Sequence, residues 1–189
     1  LGDASQIPQL IKGPSLQGRR EPRVAMVGRS NVGKSSLINA LLGGRLAQTS
    51  NQPGKTRAIH FYLWKETSKI IADLPGYGYA KTGHEERDRW AQFIERYFQT
   101  DEALQQVLIL LDARHGPTER DAEAIAFLRQ QRVAITFVFS KADTLKTQSE
   151  RFHRRKEAEK GLAELGIPPG IQTFWVSSKT RDGLKDLIK

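Results

Sequence analysis

The chain predicts an α/β domain with a mostly parallel sheet and helices on both faces. Three observations carry that expectation. From Arg23 onward, apolar runs of strand length alternate with amphipathic stretches of helical length, the order that builds strand–helix–strand units. Residues 107–111 are continuously apolar, as an interior parallel strand covered on both faces requires. A glycine-bearing loop, residues 28–36, joins a strand to a helix, which places ligand at the carboxyl ends of the strands.

Each element has its own signal. Residues 1–22 hold Pro8, Pro14 and several glycines and read as an N-terminal arm before a domain spanning residues 23–189. Residues 23–27 form a short buried strand. Leu37, Ile38, Leu41 and Leu42 follow at helical spacing until Gly43 and Gly44 stop the helix. Residues 45–57 lack periodicity and contain Pro53-Gly54, which predicts a mobile loop. In residues 58–64, Ile59, Phe61 and Leu63 alternate with His60, Tyr62 and Trp64, the pattern of a half-exposed strand. Residues 69–73 are a strand that can pair with it as an antiparallel hairpin.

Residues 74–86 are glycine-rich and read as a second mobile loop. Trp90, Phe93, Ile94 and Tyr97 fall at i, i+3, i+4 and i+7, so a helix over residues 86–99 turns its aromatics into the core. Thr118 and Asp121 form a capping-box pattern for a helix running to about Gln130. Residues 133–139 are another interior strand. A charged helix over 150–165 ends at Gly166 and Pro168. A last strand covers 172–176, and Leu184, Leu187 and Ile188 share one face of a closing helix.

The loop Gly28-Arg29-Ser30-Asn31-Val32-Gly33-Lys34-Ser35-Ser36 fits G-x-x-x-x-G-K-[ST] in the strand-to-helix context the pattern needs. A triphosphate demands many donors in a small space. Gly28 and Gly33 let the backbone turn and approach the oxygens. The N–H groups opening the helix then face phosphate. Lys34 adds a full charge on the β- and γ-phosphates, and the Ser35 hydroxyl is placed to ligate Mg²⁺.

Further segments fall at strand ends. Asp73-Leu74-Pro75-Gly76 offers a carboxylate to Mg²⁺ through water and a glycine N–H to the γ-phosphate. Thr56, in Gly54-Lys55-Thr56-Arg57, has two readings. It is either a hydroxyl ligand to Mg²⁺ that orders its loop only with the γ-phosphate present, or an ordinary loop threonine. Ser140-Lys141-Ala142-Asp143 resembles [NT]-K-x-D, in which the Asp143 carboxylate accepts from guanine N1–H and N2–H₂. Adenine lacks that donor pair and would leave a buried acceptor unpaired. The Lys141 stem can pack along the purine. Ser140 is smaller than the usual Asn or Thr, which puts bracing of the neighbouring loop in question. Val176-Ser177-Ser178, with Lys179, would close the base pocket, chiefly through backbone N–H groups.

Composition narrows the partners. Lys and Arg total 30 against 21 for Asp and Glu, a formal charge of +9. A domain with that balance is attracted to polyanions, although solubility alone also accounts for such a charge. Arg19, Arg20 and Arg23 make one candidate basic cluster. Arg151, His153, Arg154, Arg155 and Lys156 make another, with a solvated helix face as the equal alternative for each. The sequence holds no cysteine, which excludes disulfides and thiolate metal sites. No apolar run reaches the ~20 residues of a membrane span, and the first residues lack a signal-peptide core. The expected setting is therefore the cytoplasm, bacterial or organellar.

Four strings together resemble one family: residues 28–39 (GRSNVGKSSLIN), 50–56 (SNQPGKT), 73–80 (DLPGYGYA) and 112–117 (DARHGP). They are similar to the EngB-type ribosome-biogenesis GTPases, within the translation-factor class of P-loop GTPases, from about Pro22 to the end. The resemblance implies a Ras-like three-layer fold. Its six-stranded sheet would be mostly parallel with one antiparallel edge strand. It also implies a GTP-hydrolysing monomer that assists assembly of the large ribosomal subunit through rRNA or ribosomal proteins.

The reaction implied is GTP hydrolysis by in-line attack of water, with Lys34, Mg²⁺ and backbone N–H groups stabilising charge. Many relatives carry a water-orienting Gln after the D-x-x-G glycine, where this chain has Tyr77. Slow intrinsic turnover is therefore expected. Asn31 resembles the phosphate-loop Asn of K⁺-assisted GTPases, with loop shaping as its alternative role, and Arg57 is a weaker candidate for the same electrostatic task. Three rivals remain. A GTPase acting on protein partners or membranes is disfavoured because there is no cysteine to lipidate. A small-molecule kinase is disfavoured by the base-reading loop. A GTP-ordered RNA-binding module without hydrolysis is kept open by Tyr77.

Overall fold

The computed structural model describes residues 11–12, 20–47, 59–77 and 84–188. Its strands are β1 (Ile11–Lys12), β2 (Arg23–Gly28), β3 (Ile59–Trp64), β4 (Lys69–Asp73), β5 (Leu104–Asp112), β6 (Ala134–Ser140) and β7 (Thr173–Trp175). Its helices are α1 (Lys34–Leu42), α2 (His84–Thr100), α3 (Glu119–Arg129), α4 (Gln148–Glu164) and α5 (Leu184–Ile188). They form one sheet in the order β1-β3-β4-β2-β5-β6-β7.

The expected six strands are β2 to β7, with β3 antiparallel to β4 and the other neighbouring pairs parallel. The arm contributes what the sequence did not announce: β1 lies parallel on the outer side of β3, pairing Ile11 with Ile59. After β2 the chain skips outward to β3, returns through β4 to lie beside β2, then crosses to β5, β6 and β7 on the other side. That reversal makes the end of β2 a topological switch point, where α/β sheets take ligand.

Two apolar layers sandwich the sheet. On one face α1 and α5 pack Leu37, Ile38, Leu41 and Leu184 against Val24, Met26, Leu108, Leu110 and Val138. On the other, Ile94 and Tyr97 of α2, Ile125 and Leu128 of α3 and Leu162 of α4 cover Ala25, Val27, Ile109, Phe137 and Phe139. The aromatics of α2 are core residues, as their spacing implied. Because both faces are covered, the half-exposed reading of β3 needs correction at its end. Leu63 is exposed, whereas Trp64 is buried in the α1 layer.

Local signals account for the element ends. Gly43 sits at φ 66° and its N–H returns to the Asn39 carbonyl, closing α1. Asp121 accepts from the Thr118 N–H at 2.8 Å, completing the capping box of α3. The Thr147 hydroxyl accepts from the Glu150 N–H at 3.1 Å at the start of α4. Arg23 departs from expectation. Its guanidinium donates to Asp101 at 2.5 Å and its side chain is only 13% exposed, so it clamps the start of β2 instead of joining a basic surface.

Two glycines at similar φ separate backbone strain from steric conflict. A Cβ on Gly183 (φ 71°) would sit 2.1 Å from the Trp175 carbonyl oxygen, whereas one on Gly43 (φ 66°) meets nothing within 4 Å. Gly43→Ala is expected to cost about 1–2 kcal/mol, the left-handed penalty alone. Gly183→Ala should cost on the order of 3 kcal/mol or more, by adding displacement of the β7–α5 connection. Urea denaturation of the two variants side by side checks the difference.

Candidate functional site

Parallel pairing brings the carboxyl ends of β2, β4, β5 and β6 to one rim. Met26 pairs with Asp73, Gly28 with Leu110, and Asp112 with Ser140. The segments picked out at β2, β4, β6 and β7 therefore converge. Thr56, with Gly54, Lys55 and Arg57, lies outside the described residues, as do Arg19 and residues 78–83.

The loop after β2 is zipped to the segment after β4. The Tyr77 N–H donates to the Gly28 carbonyl at 3.3 Å, and the Ser30 N–H donates to the Tyr77 carbonyl at 3.2 Å. Gly76 lies close beneath: a Cβ there would be 3.0 Å from the Gly28 oxygen. Gly33 takes φ 103° in the N-cap position of α1, a backbone state that side chains oppose. With no cap side chain at Gly33, the first-turn amides of α1 at Lys34, Ser35 and Ser36 remain for an anion.

Two residues of the β6 segment hold the loop's carbonyls. The Ser140 hydroxyl is shared between the Val32 carbonyl at 2.5 Å and the Leu111 carbonyl at 3.1 Å. Serine thus supplies the bracing that its size put in question. The Lys141 ammonium donates to the Asn31 carbonyl at 2.7 Å and to Asp112 at 2.9 Å. A trans peptide sets C=O and N–H on opposite sides, so anchoring the Val32 carbonyl turns the Gly33 amide away from Ser140. Asn31 is exposed at φ 64°.

The charged centre is a buried ion pair between Lys34 and Asp73, with side chains 9% and 5% exposed. At the β6–β7 end of the rim, the Ser177 hydroxyl donates to the Asp143 carboxylate at 2.7 Å, and the Lys179 and Thr180 N–H groups donate to that same hydroxyl oxygen. The Ala142 N–H donates to the Val176 carbonyl at 3.0 Å, tying the segments after β6 and β7 together.

Two residues at this rim, Asp112 and Asp121, have site roles that the sequence did not assign. Asp112 ends β5 and accepts from the Arg114 guanidinium at 2.9 and 2.7 Å, the Arg114 N–H at 3.0 Å and Lys141. Burial pushes its carboxyl up, but the hydrogen bonds from Arg114 and Lys141 outweigh it and hold the group well below the usual carboxylate range. A carboxylate ending a continuous apolar strand was the available signal.

Asp121 is fully buried and does more than cap α3. It accepts from the Arg29 Nε at 3.1 Å and the Tyr77 hydroxyl at 2.9 Å, joining both loops to the helix. Burial, then the Asp121 charge beside it, push the Tyr77 phenol well above its ordinary value, so it stays a protonated donor. Its ring meets Trp90 edge-on at 5.5 Å, and the Trp90 indole N–H donates to the Pro75 carbonyl at 2.8 Å. The segment after β4 is thus packed through Tyr77. Leu74 is fully buried there, so the mobile-loop reading does not apply to residues 74–77.

Asp112 yields a pH-dependent prediction. Its folded pKa lies below the ordinary 3.8, so its stabilising contribution is complete above about pH 4 and is lost as pH falls through the folded value. Asp112→Asn should cost about 1–3 kcal/mol at neutral pH. Its deficit relative to the native chain should shrink as pH drops below 4. Urea midpoints of both proteins from pH 7 to 3 check the slope.

Comparison with known proteins accords with this geometry. Residues 23–141 match the family described as 50S ribosome-binding GTPase. The probable GTP-binding protein EngB of Thermotoga petrophila is 41% identical over 175 residues, covering 93% of this chain and 85% of that protein. Its counterpart in Kosmotoga olearia is 42% identical over 166 residues, covering 88% and 85%. Among solved structures, a probable GTP-binding protein EngB aligns with TM-score 0.63 at 25% identity over 87% of this chain and 94% of that one. Era of Aquifex aeolicus, bound to GDP and AlF4−, aligns with TM-score 0.68 at 26% identity over 88% and 54%. A phosphate loop braced by a guanine-type motif and relatives of this similarity lead to one conclusion: the chain belongs to the 50S ribosome-binding GTPase family, in its EngB branch of GTP-binding proteins.

Proposed function

We propose that this chain is a GTP-hydrolysing switch that engages the large ribosomal subunit during its assembly, working as a monomer in the bacterial cytoplasm. The observation that carries the nucleotide reading is the coupling of the two recognition motifs. Lys141, beside Asp143, reaches the phosphate-loop carbonyl of Asn31, so base reading and phosphate gripping share one scaffold. The ribosomal reading rests on the family description and on the +9 charge, which suits an RNA-rich partner. EngB relatives come from bacteria, and no helix among the described residues is long and apolar enough to cross a membrane.

In this reading the first-turn amides at Lys34, Ser35 and Ser36, with the loop amides from Arg29 to Gly33, receive the phosphates. Lys34 leaves Asp73 for the β- and γ-oxygens. Ser35 and Asp73 are hard oxygen donors, and with Thr56 they would hold Mg²⁺, an ion commonly bound by one or two protein oxygens plus phosphates. Bound there, it would neutralise charge developing on the phosphates. The segment Asp73-Leu74-Pro75-Gly76 is pinned under the loop, where the Gly76 N–H serves the γ-phosphate. Asp143 takes guanine, Lys141 and Ala142 line its face, and the loop of Val176, Ser177 and Ser178 closes around it.

Water attacks the γ-phosphorus, the bond to the β-bridging oxygen breaks, and GDP and phosphate leave. Tyr77 supports a slow unassisted rate, on the order of 10⁻⁴–10⁻² s⁻¹, because its hydroxyl is committed to Asp121 and no side-chain amide stands directly after Gly76. The same observation favours a second reading, an RNA-binding module that GTP merely orders. Multiple-turnover phosphate release with and without ribosomal subunits separates the two. Co-sedimentation with each subunit, at graded salt and with GTP or GDP, tests the partner. Association with the large subunit that weakens steeply with salt is expected, and binding to neither would overturn the ribosomal role while leaving the nucleotide reading intact.

Two outcomes test the site. Asp143→Asn should exchange an acceptor for a donor, moving preference from guanine to xanthine nucleotides by roughly tenfold or more, read by competition binding. If the Asn31 side chain helps hold a monovalent cation, replacing Na⁺ by K⁺ at constant ionic strength should raise kcat, and an unchanged rate assigns Asn31 to loop shape alone.

A further inference from the structure

Large apolar side chains on the described surface are few: Leu46, Leu63 and Phe152. Phe152 is the aromatic one, 55% exposed, and it stands in the basic half of α4. On a 100° helical wheel, Ala158 and Leu162 mark the buried side of that helix. His153, Lys156 and Lys160 fall on the opposite, solvent side, and Phe152 lies on the exposed flank next to Lys156. Phe152, Lys156 and Lys160 follow one another at i, i+4 and i+8, a single ridge of neighbours. Arg155 turns toward the end of the sheet, its guanidinium 5.6 Å from the Trp175 ring.

The ridge combines a ring with cations that have little else to neutralise them. The Lys156 ammonium lies 4.6 Å from the Phe152 ring centre, and the His153 ring meets Phe152 edge-on at 5.9 Å. Arg154 is paired with Glu157 at 2.7 Å, and Lys160 reaches Glu164 only at 3.9 Å. Among the described residues, neither Arg155 nor Lys156 forms an ion pair. A merely solvated helix face gives no reason for an exposed ring. Here an exposed aromatic ring stands beside Lys156, a cation without an ion pair among the described residues, the combination that takes a stacked base and its phosphate.

We infer that the outward face of α4 is an RNA-docking surface. Phe152 is the stacking platform for an unpaired base, and Lys156, with Lys160 one turn further along the ridge, tracks the phosphates. The occupant is a single-stranded or looped RNA segment, since only an unstacked base offers its face to the ring. This inference rests on the ribosomal reading for its biological setting but stands on its own chemistry. It assigns the contact to a surface made by α4, apart from the nucleotide rim. It also assigns no docking role to Arg23, which is occupied by Asp101.

The test uses a fluorescent 15-nucleotide oligouridylate and an RNA duplex of equal length, with the GDP-bound full chain. The native protein should bind the single strand more tightly than the duplex. Phe152→Ala should weaken single-strand binding roughly five- to hundredfold, the loss of one stacked base. Lys156→Gln should flatten the salt dependence by about 0.7 in the log–log slope, one phosphate contact on a single strand. GDP affinity should be unchanged in both variants, which certifies their folding. Unchanged oligonucleotide binding in Phe152→Ala overturns the proposal, as does equal preference for duplex. Large-subunit co-sedimentation is the separating arm. If the native chain pellets and both variants pellet equally, this surface is wrong and the ribosomal role stands. If the variants lose the subunit while the native chain binds no oligonucleotide, the ridge docks a protein and the RNA assignment falls. If the native chain binds the oligonucleotide through Phe152 but no subunit, the surface holds and the ribosomal role falls.

Discussion

Lys34 and Asp73 bury opposite charges where β2 and β4 end side by side, and the rest of the rim is arranged around that pair. Two desolvated charges are tolerated only when each answers the other, since removal of either partner strands the one that remains. In the proposed reading, a magnesium-bound triphosphate would offer each a new partner of the right sign: phosphate oxygens for Lys34, a divalent cation for Asp73. Binding would then exchange one set of buried ionic contacts for another, without a large desolvation of either side chain, because both are already out of water.

That exchange requires a rigid surround, which hydrogen bonds to the backbone supply. Ser140 and Lys141 hold the carbonyls of Val32 and Asn31, Asp112 holds Lys141, and Tyr77 zips the segment after β4 to Gly28 and Ser30. Asp121 then joins Arg29 and Tyr77 to the start of α3. A change at the end of β4 therefore has a short polar path into a helix. Buried networks of this kind specify one arrangement because each unsatisfied member is costly in a low-dielectric interior.

Much of this was legible in the residues, for physical reasons that differ from part to part. The alternation of apolar runs, the glycines of the phosphate loop and the capping box of α3 are local signals, and the fold followed them. The strand order placed the motifs together because parallel pairing sends every carboxyl end to one side. Partnerships across the sheet were not legible. Asp121 looked satisfied as a capping residue, and nothing local indicated that Arg29 and Tyr77 would share it. Arg23 read as a free cation because Asp101 is 78 positions away. Trp64 and Leu63 exchanged exposure because α1 covers the face that alternation alone assigned to solvent. The pairing of Ile11 with Ile59 rests on two residues, too few for periodicity to announce.

The central claim is that one braced loop grips a triphosphate while Asp143, linked to it through Lys141, restricts the base to guanine. Titration calorimetry in magnesium buffer, with GDP, GTP, ADP and ATP injected in turn, measures both halves together. Saturable one-to-one heat is expected with the guanine nucleotides and none with the adenine ones. Equal heat from both bases, or silence from all four, would contradict it.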